Sequence, residues 1–529
     1  MKASPIAQIM SKRKILTTMA LLAIVAFHFL NNFFWIGLDQ APTGIGVDWH
    51  LLEAVKFQIA YKRILYSDSS MLDKLTQAYH LFATWPNGNS PPLIYLLSSI
   101  ANTDHFRLFD TRCYFNAFFL CLLIFSTYFL AKKLFSRRAG VFAAFLVSFY
   151  PLVGAYSRQF GPDFPLAAVT ALSLTLLVYS EHYSNRLYSA LLGLCLGIAT
   201  LIKLQIVFFL AAPMIYMLWA GLKSNRRKKG KILFNFFVAL FLSYLLFSVY
   251  WPDIFKEMAV NFSRHVFSLY PGFKGAKWGT LGSREIPVFS LDGITFYAGQ
   301  LLNMMSWPLF VVFLISLGRL TKVKEKSKAF LLLCFFPPLL IFTLISVKFS
   351  KFILPLIPVM AVITAWAVMA IQKVFLRRAA LLGVIIYSVL LFYYSSWLGD
   401  YNKFENILTI SLDDGVCLWR PHREQYFSAL KDSGVIKRIQ NKLDQGDLVK
   451  IRFTNFAQDP MFEIYIFFQK YIFLNKLDIR LAEGGKDFNE AAYILLTPKR
   501  LSLNPNLMKQ YRILRIYDDS DEICVLEQK

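Results

Sequence analysis

A set of charged residues lies at the edges of long apolar runs in this chain. It comprises three carboxylates and five cations, Asp48, Glu53, Asp163, Arg112, Arg158, Lys203, Lys348 and Lys351. A carboxylate can deprotonate a hydroxyl or amine nucleophile, and Lys or Arg can hold and neutralise a departing phosphate. These residue types therefore predict transfer of a group from a phosphate carrier.

Each of these residues also has a simpler interpretation. A Lys or Arg at a membrane boundary can be an anchor whose charged tip reaches the interface. Asp163 follows Pro162 at the start of an apolar run, which also suits a helix N-cap. Sequence alone leaves both interpretations open.

The composition identifies the kind of element that must position these residues. Of 529 residues, 56% are hydrophobic, 16% are aromatic and 17% are charged, too few charges to cover the surface of a soluble protein. The net charge of +24 gathers in short loops between apolar runs, which is the positive-inside pattern and argues against nucleic-acid binding. The chain is predicted to be a polytopic α-helical membrane protein.

About eleven apolar segments are long enough to be spans, with the N-terminus in the cytoplasm. Residues 187–218 are interpreted as two short helices that meet at Lys203, and residues 294–317 as one span. Two long outer loops, 38–111 and 252–292, then face outward. This topology predicts a membrane domain over residues 1–398, in the inner membrane if the source is a bacterium.

The composition changes near residue 399. Charged residues become frequent, and β-rich runs occur near residues 448–453, 493–496, 511–517 and 523–526. With an apolar run at 461–474, they predict an extracytoplasmic, periplasmic α/β domain over residues 399–529. Cys417 and Cys524 either form a disulfide there or are two separate thiols.

Several short motifs occur in order along the membrane region. They are Asp48 in the first outer loop, Ser-Pro-Pro-Leu-Ile-Tyr at 90–95, Arg112, the acidic segment 156–166, the Gly-rich segment 192–203 and the Lys-Pro segment 348–358. In this order the chain resembles the C-type (GT-C) membrane glycosyltransferases, in particular the protein O-mannosyltransferase and lipid A aminoarabinose transferase group. The resemblance covers most of the membrane region.

The resemblance implies specific roles. Asp48 would be the general base, and Asp163 a second carboxylate that orients the acceptor or binds a metal. The phosphate of a polyprenyl-phosphate sugar donor would be held by Lys348 and Arg112, with Lys351, Arg158 and Lys203 as further candidates. A divalent metal held by Asp48, Glu53 and His265 is a weaker implication.

The implied reaction is a single displacement that inverts the sugar, with a lipid, an envelope glycan or a protein as acceptor. The sequence departs from the family pattern at three places: Trp49 and His50 follow Asp48 where a second acid is common, Ser90 replaces a basic residue, and Phe352 replaces a Tyr. The alternative function is a transporter or flippase of lipid-linked precursors. Such proteins usually carry charge near the bilayer midplane, whereas here the charges gather at one face.

Overall fold

The architecture is taken from a computed structural model. It describes residues 5–38, 47–84, 91–101, 108–224, 226–250, 284–285, 290–322, 327–345, 347–398, 435–445, 448–453, 477–481, 493–496, 511–516 and 524–528.

Helices form most of the described chain. In order they are α1 (Pro5–Leu38), α2 (Val47–Leu65), α3 (Met71–Ala83), α4 (Leu93–Ala101), α5 (Leu108–Leu134), α6 (Arg137–Phe149), α7 (Pro151–Tyr156), α8 (Asp163–Tyr179), α9 (Arg186–Ile202), α10 (Ile206–Ser224), α11 (Lys229–Phe247), α12 (Leu291–Met305), α13 (Trp307–Lys322), α14 (Lys328–Thr343), α15 (Ile357–Met369), α16 (Val374–Tyr393) and α17 (Val435–Asp444). Short 3₁₀ turns precede α11 and α15, and a π-helical turn, Tyr394–Leu398, follows α16.

The chain is a multi-pass membrane protein. Six helices in the described residues are long and apolar enough to cross a membrane, or seven if a bent pair counts as one span. The six spans are Lys14–Ile36, Phe115–Leu134, Ile206–Ser224, Lys229–Phe247, Ser350–Met369 and Val374–Trp397. Helices α8, α9 and α14 are apolar but shorter.

The segment Ser350–Met369 lies at the centre of the bundle. It is the most apolar of the candidate spans, with a mean hydropathy of 2.3, and 89% of it is buried. It packs against α5, α6, α8 and α13. A helix that is apolar all round can be buried among other helices or can face lipid. The contacts of this segment show that it is buried.

Helices α9 and α11 approach each other closely because α9 carries Gly193 and Gly197, four residues apart. A Cβ atom built on Gly193 would lie 2.4 Å from the backbone oxygen of Ala239, and one on Gly197 would lie 2.6 Å from Leu246 Cβ. Small residues at this spacing let two helix backbones meet inside a membrane.

Two long apolar segments are interrupted. The predicted span 294–317 is wrong as a single helix, because α12 and α13 meet at Ser306 with a bend of 107°. Pro308 lacks an N–H to continue the ladder of α12, but it is tolerated in the first turn of a new helix. Residues 142–156 likewise divide into α6 and α7 at Tyr150, before Pro151.

The described parts of residues 38–111, the predicted outer segment, are helical rather than loop-like. Helices α2, α3 and α4 occupy it, and the Ser70 hydroxyl caps α3 by accepting from the backbone N–H of Asp73. Pro91 and Pro92 are buried just before α4. This segment packs as a layer of helices on the bundle, because α4 contacts α5 and α9.

Strands follow the membrane bundle in the sequence. They are β3 (Val449–Phe453), β4 (Leu477–Leu481), β5 (Tyr493–Leu496), β6 (Tyr511–Ile516) and β7 (Cys524–Gln528), after a short antiparallel pair of β1 (Arg284–Glu285) with β2 (Val347–Lys348). The sheet order is β4-β3-β5-β7-β6. Its β4, β3 and β5 strands are parallel, whereas β7 pairs antiparallel with β5 and β6. The predicted helix at 461–474 and Cys417 lie outside the described residues, so the disulfide and the domain boundary stay predictions.

Candidate active site

Asp163 and Lys203 form a buried ion pair where α8 begins and α9 ends. Asp163 is the first residue of α8, and Lys203 ends α9 in extended backbone with φ of −163°. Lys203 Nζ donates to Asp163 Oδ1 over 2.5 Å, and their side chains are 10% and 7% exposed. Helices α8 and α9 pack against each other in opposite directions, so their charged ends meet.

Lys351 adds a second cation to this pair. It is half-buried at the start of the Ser350–Met369 segment, with its Nζ over the Phe349 ring at 4.8 Å. Its charge acts on both Asp163 and Lys203. Lys203 Nζ also lies 5.3 Å from the ring of Phe352, one residue further along. Two cations therefore face one carboxylate, and the cluster carries an excess positive charge that suits an anionic ligand.

His50 of α2 joins this cluster from the outer layer. Its Nδ1 lies 2.7 Å from the hydroxyl of Tyr95 in α4. Its ring also lies beside Gly161, where a built Cβ would be 3.5 Å from His50 Cδ2. Burial and the charges of Lys351 and Lys203 lower the pKa of His50 to about 3, although Asp163 acts in the opposite direction. The imidazole is therefore neutral at physiological pH.

Lys348 lies before the same segment, at the C-terminus of α14. Its Nζ donates to the backbone oxygens of Thr343 and Ile345 over 2.7 and 2.9 Å and lies 5.4 Å from the ring centre of Tyr297. A cation at a helix C-terminus satisfies carbonyls that lack intrahelical partners. Burial lowers the pKa of Lys348 to about 8. Lys348 thus has a capping role that the sequence did not predict.

Arg158 is buried between α1 and the turn after α16. Its Nε donates to Asn32 Oδ1 over 3.0 Å, and its guanidinium donates to Ser396 Oγ over 2.9 Å. The guanidinium also lies 4.9 Å from the ring of Trp35 and 5.4 Å from that of Phe392. These contacts connect α1, the first helix of the membrane bundle, to the turn after α16, the last one. Arg158 therefore has a structural role.

The remaining predicted residues are described in part. Glu53 in α2 is buried, and its Oε1 accepts from Lys56 Nζ over 2.9 Å. Asp48 lies in α2 and Arg112 in α5, but their side chains are outside the described residues, as is all of His265. Within the described part of the chain, no three His, Cys, Asp or Glu residues converge as metal ligands. The predicted set of metal ligands, Asp48, Glu53 and His265, thus remains a prediction.

Sequence reasoning missed His50 and Tyr95 as members of the site. Both lie inside motifs that were singled out, since His50 is two residues after Asp48 and Tyr95 ends the Ser-Pro-Pro-Leu-Ile-Tyr segment. Their pairing depends on how α2 packs against α4, which the periodicity of neither helix reveals.

Comparison with known proteins agrees with the motif order. Residues 91–251 match the family model described as dolichyl-phosphate-mannose-protein mannosyltransferase. A comparison of the sequence with curated proteins finds no match.

Solved structures show the same fold at low identity. ArnT from Cupriavidus metallidurans bound to undecaprenyl phosphate is 11% identical, covers 98% of both chains and gives a TM-score of 0.59. The same protein in its apo state is 12% identical over 98% of both chains, with a TM-score of 0.58. The oligosaccharyltransferase AglB from Archaeoglobus fulgidus, in complex with an inhibitory peptide and a dolichol-phosphate, is 13% identical and gives a TM-score of 0.54 over 96% of this chain and 74% of its own.

The resemblance to C-type membrane glycosyltransferases is therefore confirmed in both family model and fold.

Proposed function

We propose that this chain is an integral membrane glycosyltransferase that moves a sugar from a polyprenyl-phosphate carrier to an acceptor at the outer face of the membrane. The observation that carries the proposal is the buried cluster of Asp163, Lys203 and Lys351, with His50 beside it. It combines a carboxylate with excess positive charge beneath the helices of the outer segment. That combination suits the reaction, because a phosphate must be held while a nucleophile is oriented.

The proposed chemistry is a single displacement. A lone pair on the acceptor oxygen or nitrogen attacks the anomeric carbon, while the bond from that carbon to the phosphate oxygen breaks. The polyprenyl phosphate leaves with the bonding electrons, and a carboxylate takes the acceptor proton. Attack opposite the leaving group inverts the sugar.

Two carboxylates are available for the proton transfer and the orientation of the acceptor. Asp48 precedes His50 by two residues on α2, which brings its backbone to the edge of the cluster. Asp163 is already held by Lys203, which suits a carboxylate that orients rather than one that takes a proton. We assign Asp48 as the base and Asp163 as the orienting carboxylate.

The leaving phosphate needs cations within reach of the bilayer surface. Lys351 is the best-supported of the proposed ligands, since its charge already acts on the Asp163 cluster while its side chain is half-exposed. Lys203 supports it from the buried side. Lys348 and Arg112 remain proposed donors to the phosphate, and Arg158 is a weaker one because its described contacts are to α1 and the turn after α16.

A divalent metal would assist by neutralising the negative charge that develops on the leaving phosphate. Glu53 fits such a site poorly in its described state, because Lys56 already neutralises its carboxylate. Asp48 and His265 are the other members proposed.

The membrane topology and the C-terminal region complete the proposal. We place about eleven spans in a bacterial inner membrane, with the N-terminus in the cytoplasm and residues 399–529 as a periplasmic α/β domain that docks the acceptor. Positive-inside charge and the sheet of β3 to β7 support this arrangement. A chain truncated after residue 398 should then keep binding to the lipid phosphate but change its choice of acceptor.

Mass spectrometry of envelope lipids, glycans and proteins tests the function. Cells with the wild-type chain should carry a sugar modification that is missing from cells without it and from cells with Asp163→Asn. Glu181→Gln is the matched control, because Glu181 lies just beyond the other end of α8 in an exposed ion pair with Lys133. A modification that persists in Asp163→Asn cells would contradict the site, and lipid-linked sugar that changes sides without being transferred would favour a flippase.

A further inference from the structure

His50 has an arrangement that its role as a helix residue does not require. One ring nitrogen is engaged by the Tyr95 hydroxyl at 2.7 Å, and the ring lies beside Gly161. Within the described residues the other ring nitrogen, Nε2, has no hydrogen-bond partner. The ring is thus fixed at one edge and open at the other.

The surroundings of His50 identify what that open edge can take. Lys351, Lys203 and Asp163 are the charged groups that act on it, and Tyr95 is its hydrogen-bonding neighbour. The two nearby cations are the groups that can pair with a phosphate, whereas an imidazole nitrogen is a good hydrogen-bond partner for an uncharged hydroxyl.

We propose that His50 is a substrate-contacting residue whose Nε2 hydrogen-bonds a hydroxyl group of the sugar or acceptor, while Tyr95 holds the ring in place through Nδ1. The ring lies beside Gly161, two residues before Asp163, at ordinary van der Waals distance from a Cβ built there. The cations are then left to the phosphate, and the hydroxyl partner lies next to the carboxylate that orients the acceptor. The inference rests on the proposed glycosyltransferase function.

Two amide substitutions distinguish the contacts made by the two ring nitrogens of His50. His50→Asn places an amide near the position of Nδ1, so it can keep the bond to Tyr95 but loses the Nε2 contact. His50→Gln reaches the position of Nε2 but gives up the bond to Tyr95. Tyr95→Phe removes the restraint and leaves the ring whole. His80→Asn is the matched control, because His80 is an exposed histidine on α3 of the same outer segment.

The assay uses purified full-length protein in nanodiscs with a polyprenyl-phosphate hexose and the acceptor identified by mass spectrometry. Loss of one hydrogen bond should lower kcat/KM by about tenfold in His50→Asn, with His50→Gln and Tyr95→Phe less impaired. A contact to the sugar should raise KM for the donor, and a contact to the acceptor should raise KM for the acceptor. Binding of undecaprenyl phosphate alone should be unchanged in all three variants.

A structural role for the pair predicts a different pattern. If His50 only fastens α2 to α4, His50→Asn should act like wild type, while Tyr95→Phe and His50→Gln lose thermal stability and activity together. That pattern would overturn the inference, as would a general-base profile in which the wild-type rate rises between about pH 6 and 8 and His50→Asn flattens it. Absence of transfer by the wild-type chain would instead contradict the proposed function.

Discussion

Asp163 illustrates how a charge becomes tolerable at the edge of a membrane bundle. Its carboxylate is buried, and a buried charge without a partner is costly. Lys203 compensates that charge directly, and Lys351 adds to the positive field. The candidate site is therefore built on a pair whose charges compensate each other, so a change in either residue should affect stability as well as the proposed chemistry.

Removing one member of the pair should destabilise the protein more than removing both. Lys203→Met leaves Asp163 buried and unpaired, which should lower the free energy of unfolding by about 3–5 kcal/mol. The double variant Asp163→Asn with Lys203→Met should recover part of this loss. Thermal unfolding in detergent micelles measures both, and single-variant losses that simply add would show that the two residues are not coupled.

Lys348 should make binding of the lipid phosphate sensitive to alkaline pH. Its pKa is lowered to about 8, so the ammonium is present below that pH and is lost as the pH rises through it. Affinity for undecaprenyl phosphate should be constant between about pH 7 and 8, where the phosphate is already a dianion, and should weaken above about pH 8. Lys348→Arg keeps its charge and should abolish the decline. If affinity still declines in Lys348→Arg, a group other than Lys348 causes the pH dependence.

Among the secondary-structure elements, the close packing of α9 on α11 holds Lys203 in place. Gly193 and Gly197 let the two backbones meet, and α9 ends at Lys203 only one and a half turns later. Any displacement of α9 from α11 would also displace Lys203 from Asp163. The glycines therefore act on the site from a distance, through the position of a helix.

Gly193→Ala should separate these helices. The new Cβ would lie 2.4 Å from the Ala239 oxygen, which is backbone and cannot rotate away, so we expect a loss of about 1–3 kcal/mol in the free energy of unfolding. Gly230→Ala in α11 is the control, because nothing lies within 4 Å of its built Cβ and Ala favours a helix. Equal melting temperatures for Gly193→Ala and wild type would contradict the packing argument.

At the scale of the whole molecule, charge distribution and hydropathy predicted the membrane character and the break at Lys203. The interruption at Ser306 was missed, because residues 294–317 are apolar enough on average for one span and Pro308 is also tolerated within a membrane helix. Strand β4 was missed as well, although the alternation of apolar and charged residues in Leu477–Leu481 is the pattern of a half-buried strand. Motif order singled out Asp163 and Lys203, which the structure pairs, but local patterns did not single out His50 and Tyr95, which are paired by packing between helices.

The shortness of the hairpin formed by α8 and α9 has a consequence for the lipids on its exposed face, which α9 supplies through Leu187, Leu191, Leu194 and Ile198. Each has 17 residues, or about 25 Å of helix, whereas a hydrocarbon core is about 30 Å thick. Hydrophobic mismatch of this sign is relieved when the bilayer thins locally. Because Asp163 and Lys203 lie at the same end of this short hairpin, thinning would draw lipid headgroups toward the level of the site.

The acyl-chain length of the surrounding lipids should then affect how tightly the protein binds a lipid-linked substrate. Undecaprenyl phosphate should bind more tightly in nanodiscs of short-chain phosphatidylcholine than in those of long-chain phosphatidylcholine, with equal protein stability in both. If affinity does not depend on acyl-chain length, the difference between helix length and bilayer thickness is accommodated by tilt or by neighbouring helices instead. The two short helices would thus make the thickness of the surrounding bilayer a determinant of how the donor reaches the protein.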